Sequence, residues 1–254
     1  MEILTATHTD IGIKKETNQD SLCLKIAETS IGKVTMAIIC DGMGGLSKGE
    51  VASASVIEAF SDWFDNELPT MLNANDNKEI EYRWERIIKE QNQRISEYGN
   101  HLRIQLGTTL TVLLLINTTY IIGHVGDSRA YMIDEKLHVV TKDQTLVARE
   151  VERGNMTLEQ AKVDPRKNVL LQCIGASKIV EPVFIQGKTK LGCVWMLCSD
   201  GFRHQITSDE IYDAFKPSIL TNEIIMSKKA NELVEINKYR GETDNITVLL
   251  IKLQ

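Results

Sequence analysis

Four strand-like apolar segments of this chain meet an aspartate at one end, and that pattern limits the folds open to it. "KVTMAIICDG" runs into Asp41, "YIIGHVGD" into Asp127 and "VWMLCSDG" into Asp200, while "TDNITVLLI" reverses the order and places Asp244 just before its strand. The strands are apolar on both faces, so their sheets must be covered on both sides. A strand that begins with its carboxylate, antiparallel to strands that end with theirs, carries all of those carboxylates to one edge.

A fifth acid joins them by register. "DSLCLKIAE" and "KVTMAIICD" flank the short connection "TSIG" (Thr29 to Gly32). A hairpin with Glu28 opposite Lys33 sets Asp20 opposite Asp41, with paired Cβ atoms roughly 5 Å apart. Two like charges so placed repel, and a cation between them removes the penalty. With no Cys or His pair accompanying the acids, the ligands would be oxygen only, which selects Mg²⁺ or Mn²⁺ over zinc. A single Asp-Gly pair is ordinarily a turn. Four such units in matching strand context point to a shared site. Glycine after Asp41 lets a backbone carbonyl approach a metal and lets the chain turn away sharply.

The remaining sequence is that of a globular protein: 43% hydrophobic, 25% charged, with a net charge of −6. The charge argues against non-specific binding to nucleic acid or to an anionic membrane. The longest fully apolar run, "VLLLI", is too short to span a bilayer, and the N-terminus lacks a secretory pattern. Cys23, Cys40, Cys173, Cys193 and Cys198 form no C-x-x-C and read as free thiols in a reducing, cytoplasmic setting.

Further strands are expected at "TLTVLLLI", "RAYMI" and "LHVV". A helix is expected after a capping box at Ser47–Glu50, with Ala52, Val56, Ala59, Phe60 and Trp63 on its inner face. A surface loop (66–79) leads to a second helix with Ile80, Trp84, Ile87, Ile88, Ile95 and Tyr98 on a similar stripe. Two more helices follow, at "TSDEIYDAF", with a capping box from Thr207 to Glu210, and at "NEIIMSKKANELVEI". Strands, two helices, strands, helices, strand is not a βαβ alternation. It predicts an α+β fold of two mixed or antiparallel sheets sandwiched between helices.

These residues resemble the signature of the PPM (type 2C) family of metal-dependent serine/threonine protein phosphatases, in its compact bacterial form. "TDIGIKKETNQDS" is similar to the family's T-D-x-G-x-x-R-x-x-N-x-D, and "CDGMGG", "GTTL", "HVGDSRAY", "CSDG" and "TDNITV" resemble its later motifs in order. The resemblance implies one domain over 1–254, a four-layer αββα sandwich of two mostly antiparallel sheets with a binuclear metal centre at one end. It implies Asp41 bridging two Mn²⁺ or Mg²⁺ ions, with the Gly42 carbonyl, Asp200 and Asp244 as further ligands and Asp20 acting partly through water. Asp127 with Asp200 matches the acids of a third, weaker ion. A flap corresponds to about 141–168. Two metals would lower the pKa of a bridging water and clamp the phosphate for in-line attack on phosphorus. No serine nucleophile is needed, so Ser47, Ser128 and Ser199 receive no catalytic role.

Several positions depart from the family pattern. The phosphate-binding Arg falls on Lys15, which keeps the charge and loses the bidentate fork; Lys14 is the register alternative. Met43 stands where some members carry His and cannot donate a proton. In the flap, D-H-S reads "DQT", H-P reads Asp164-Pro165, and R-x-x-G reads "QCIG". His124 reads as structural, and His8, His101, His138 and His204 show no ligand spacing. The implied function is hydrolysis of phosphoserine and phosphothreonine in phosphoprotein substrates by a cytoplasmic monomer opposing a Ser/Thr kinase. The alternatives are a weakly active phosphoprotein-binding regulatory module and a phosphatase of small phosphate esters.

Overall fold

The computed structural model describes residues 2–44, 48–72 and 77–254. The chain begins with strands β1 (Ile3–Asp10), β2 (Ser21–Thr29), β3 (Gly32–Cys40) and the short β4 (Gly42–Gly44). Helices α1 (Gly49–Asn66), α2 (Leu68–Met71) and α3 (Asn77–Leu102) follow. Next come β5 (Leu106–Thr108), β6 (Leu110–Ile116), β7 (Thr119–Val125), β8 (Arg129–Ile133) and β9 (Leu137–Val139), then α4 (Leu146–Glu152) and α5 (Leu158–Val163). The last third holds β10 (Val183–Lys188), β11 (Val194–Cys198), α6 (Asp200–Arg203), α7 (Ser208–Phe215), α8 (Glu223–Tyr239) and β12 (Ile246–Leu253).

Two five-stranded sheets form, ordered β10-β7-β6-β3-β2 and β1-β12-β11-β8-β9, with β4 and β5 making a small third. The strand pairs are antiparallel. Side-chain parity explains the apolar runs. Along β3, Val34, Met36, Ile38 and Cys40 pack with Val56, Phe60, Trp84 and Ile88 of α1 and α3, while Ala37 and Ile39 meet the other sheet. Along β12, Val248 and Leu250 pack with Phe215 and Met226 under α7 and α8, while Leu249 and Ile251 meet the first sheet. Strands β3 and β12 are therefore buried on both faces, and each fully buried Leu, Ile or Val side chain stabilises the fold by about 1.5–3 kcal/mol. The layers are helix, sheet, sheet, helix, as expected.

Some local expectations change. β1 and β10 were not anticipated; both are edge strands, half-exposed, without long apolar runs. The 66–79 segment is not wholly a surface loop, since α2 lies in it and Leu68 is buried. Tyr98 turns away from the stripe on α3 and stands partly exposed beside Lys48. Ser47 of the first capping box lies outside the described residues. The second box, Thr207 with Glu210, closes in both directions. All five cysteines are free.

Candidate metal centre and active site

The β2–β3 ladder runs with Glu28 opposite Lys33 and ends at Ser21 opposite Cys40, so one further step sets Asp20 opposite Asp41. On the other sheet β12 is antiparallel to β11, which brings the start of β12 beside the end of β11. One hydrogen-bond chain joins the sheets at this edge. Ser199 Oγ accepts from the Thr247 N–H at 3.0 Å, and Thr247 Oγ1 donates to Asp20 Oδ2 at 2.6 Å.

Asp41 is fixed through its backbone by the "GTTL" segment. Thr108 Oγ1 and the Thr109 N–H both donate to the Asp41 carbonyl, at 3.0 and 2.9 Å, and the Asp41 N–H donates to Thr109 Oγ1 at 2.9 Å. Thr109 Oγ1 lies 2.9 Å from Ser128 Oγ, next to Asp127. The glycines beside the acids are required by close backbone approach. A Cβ on Gly42 would fall 2.4 Å from the carbonyl oxygens of Gln19 and Gly49, and one on Gly201 would fall 2.2 Å from that of Asn245.

The loop between β1 and β2 is held against the start of β12. Asn245 Nδ2 donates to the carbonyls of Ile11 (2.9 Å) and Thr17 (3.2 Å), and its Oδ1 accepts from the Gln19 N–H (2.9 Å). Asn18 Oδ1 accepts from the Asp20 N–H at 3.1 Å. This anchoring presents Lys15, whose Nζ stands 2.9 Å from Asp244 Oδ1. Although burial opposes it, Asp244, Asp41 and Asp200 raise the pKa of the ammonium, which places Lys15 within the field of the acids.

The acids act on one another electrostatically. Burial, then the charges of Asp20, Asp200, Asp127 and Asp244, push the Asp41 carboxyl well above its ordinary range. Burial, with Asp200 and Asp244 adding to it, pushes Asp20 up to about 7. Asp127 also rises to about 7, through burial and Asp200. Asp200 Oδ1 is buried without a hydrogen-bond partner. Among the described residues, no three His, Cys, Asp or Glu side chains close into a ready cage for an ion. Mg²⁺ does not need one, because it keeps several waters and is usually held by one or two carboxylates plus substrate phosphate. An all-oxygen donor set with mutually repelling acids and an orphaned carboxylate oxygen fits hard divalent cations.

Three charged residues missed in the sequence complete the surroundings. His204 stands one turn after Asp200, with Nε2 3.4 Å from Asp200 Oδ2 and Nδ1 3.3 Å from Glu242 Oε2. Glu242 Oε1 accepts from the Thr243 and Asp244 N–H groups at 2.8 and 2.9 Å, so this pair links the Asp200 and Asp244 segments. The i, i+4 spacing from Asp200 to His204 was the available signal. The third residue, Arg203, approaches Asp127 from α6. His124 is structural as expected, bonded to Thr111 Oγ1 and the Lys142 carbonyl at 3.0 Å each. The "DQT" departure is absorbed into hydrogen bonds. Asp143 receives the Arg129 fork, and Gln144 exchanges two 2.8 Å bonds with Gly126 beside Asp127.

Known proteins are similar to this chain in sequence and in fold. The chain is 33% identical to the protein phosphatase PhpP of Streptococcus pneumoniae over 96% of its own length and 95% of the relative's. Its fold superposes on the S. agalactiae serine/threonine phosphatase with a TM-score of 0.85, at 30% identity and full coverage of both chains. The catalytic domain of the phosphatase PstP, solved in complex with two manganese ions, is similar at 28% identity and a TM-score of 0.76, covering 99% of this chain and 98% of that one. These likenesses define a protein phosphatase. Residues 12–232 match the protein phosphatase 2C family model, and the chain belongs to that family.

Proposed function

We propose that this chain, as one domain over 1–254, hydrolyses phosphoserine and phosphothreonine in phosphoproteins. Asp20, Asp41, the Gly42 carbonyl, Asp200 and Asp244 would hold two Mn²⁺ or Mg²⁺ ions. The observation that carries this reading is the concentration of four buried or part-buried acids around Asp41, with Lys15 reaching them from the β1–β2 loop. Bound there, the ions would supply Lewis acidity to the phosphate and activate water for in-line attack on phosphorus.

The chain's own residues do the rest. Lys15 receives a substrate phosphate oxygen as a point charge and releases Asp244 as it does so. It cannot grip two oxygens at once, as an arginine fork would. Thr108 and Thr109 hold the Asp41 backbone, and Asn245 holds the loop that presents Lys15. Met43 contributes no proton. The segment 141–168 lies along the Asp127 side through Asp143 and Gln144 and acts as the flap. At the third position, Asp127 with Asp200, the residues fit an ion less well, because Arg203 stands there.

We place the protein in the cytoplasm as a monomer that opposes a Ser/Thr kinase, without nucleic-acid or membrane partners. Among the described residues, no helix is long and apolar enough to cross a membrane. The test is turnover of a phosphopeptide against a small phosphate ester, with Mn²⁺ and with a chelator. Preferred turnover of the phosphopeptide, lost on chelation, is expected. Undiminished turnover in chelator would sink the two-ion reading, and preference for the small ester would reassign the substrate.

A further inference from the structure

Arg203 had no role in the sequence pattern, yet it occupies a particular place. It closes the single turn of α6, which begins at Asp200. Its Nη2 donates to the Asp127 carbonyl at 3.0 Å and to Asp143 Oδ2 at 3.2 Å, and lies 3.9 Å from Asp127 Oδ2. The side chain is only 15% exposed, and Nε is buried with no hydrogen-bond partner. Asp143 is already engaged by Arg129, which donates to both of its oxygens at 2.7 and 2.8 Å. The groups in direct contact are thus two guanidiniums, Arg129 and Arg203, and two carboxylates, Asp127 and Asp143, while Asp200 and His204 also act on Asp127 from beside them. Arg203 shares Asp143 with Arg129, which grips both of its oxygens, so among these four groups the remaining pairing is that of Arg203 with Asp127, at 3.9 Å. A divalent cation seated on Asp127 would lie against a buried guanidinium that cannot lose its proton.

We propose that Arg203 supplies the positive charge beside Asp127 from within the chain, so that Asp127 serves as its counter-ion and a third metal ion is excluded at ordinary metal concentrations. This rests on the two-ion reading of the neighbouring acids. Arg203 acts here through Asp127 and Asp143, as a positioning residue. It ties α6, and with it Asp200, to the turn that carries Asp127 and to the start of the flap. The positive charge beside Asp127 is then permanent, and the metal requirement is met by two ions.

The test counts ions rather than turnover. Mn²⁺ is titrated into the chelator-stripped full chain, with free Mn²⁺ read by electron paramagnetic resonance. The wild type should bind two Mn²⁺ and show no third up to millimolar concentrations. Arg203→Gln, which removes the charge and keeps a donor, should gain a third Mn²⁺ at least tenfold tighter than any third binding in the wild type. Arg203→Lys should stay at two, and Arg203→Gln combined with Asp127→Asn should return to two. Asp127→Asn alone should leave the two wild-type affinities within about twofold, an arm that holds even if Arg203→Gln does not fold. Three ions on the wild type, or two on a folded Arg203→Gln, would overturn the assignment to Arg203 while leaving the core pair standing. A wild type that binds none would overturn both.

Discussion

Replacing Asp20 with asparagine should stabilise the protein in chelator at neutral pH, although it removes a group from the site. Asp20 is buried, faces Asp41 across the end of the β2–β3 ladder, and has its carboxyl pushed from 3.8 to about 7 by burial and by Asp200 and Asp244. A carboxyl whose pKa is raised on folding contributes stability that is complete below its unfolded value. That stability is lost as pH rises through about 7. At about 1.4 kcal/mol per pH unit, the full loss is about 4 kcal/mol. For a chain of this length a kcal/mol moves Tm by about 2 °C, so the difference is about 8 °C. Asparagine keeps an oxygen for the Thr247 hydroxyl, which donates to Asp20 at 2.6 Å. The assay is Tm by circular dichroism in chelator from pH 4 to pH 8. The two proteins should melt together near pH 4 and separate progressively, the variant higher, up to pH 8. With saturating Mn²⁺ at pH 7.5 the wild type should gain more than the variant, by about 2.7 kcal/mol for each hundredfold excess over Kd that the variant fails to reach. Parallel curves across the range in chelator would refute the premise that burial and the neighbouring acids raise the Asp20 carboxyl in the folded chain.

Four further outcomes follow from the same geometry. Asp41→Asn should abolish phosphopeptide turnover while far-ultraviolet circular dichroism stays native; retained kcat with normal metal content would remove Asp41 from the centre. Lys15→Ala should raise KM for phosphopeptide and lower kcat/KM by about tenfold to a hundredfold, the worth of a hydrogen bond to a charged group, with Mn²⁺ affinity intact; if Lys14→Ala alone has this effect, the role belongs to the neighbour. Gly42→Ala should destabilise the fold by about 3 kcal/mol or more, read as urea midpoint, because the new Cβ would meet two backbone carbonyls at 2.4 Å; a normal midpoint would mean that the β4 turn relaxes freely. His204 has a raised pKa because Glu242 and Asp200 outweigh its burial, so its contribution is complete below 6.5 and lost as pH rises through the raised value. His204→Gln should therefore cost more stability at pH 6 than at pH 9, and an equal cost at both would show that the ring acts only by packing.

Much of this protein was determined locally. The apolar runs of β3, β6, β11 and β12 are long enough to require burial on both faces, which already implies two sheets with helices outside them. The hairpin register follows from the short connection between β2 and β3, and period-two alternation then carries Asp20 opposite Asp41 without further information. β1 and β10 escaped because edge strands are half-exposed, and their residues give no apolar run against which to read a period. Among the site residues, the acids were legible because each sits at a strand end with a glycine or a second polar residue beside it. Arg203, His204 and Glu242 were not, because a charged side chain on a short helix or loop looks the same in sequence whether it meets solvent or a buried partner. The meeting of Arg203 with Asp127, 76 positions away, and of His204 with Glu242 exists only once β8, β11 and β12 pair side by side in one sheet. Local spacing sets which residues share an edge, whereas the charge that balances a buried carboxylate is set by what packing brings against it.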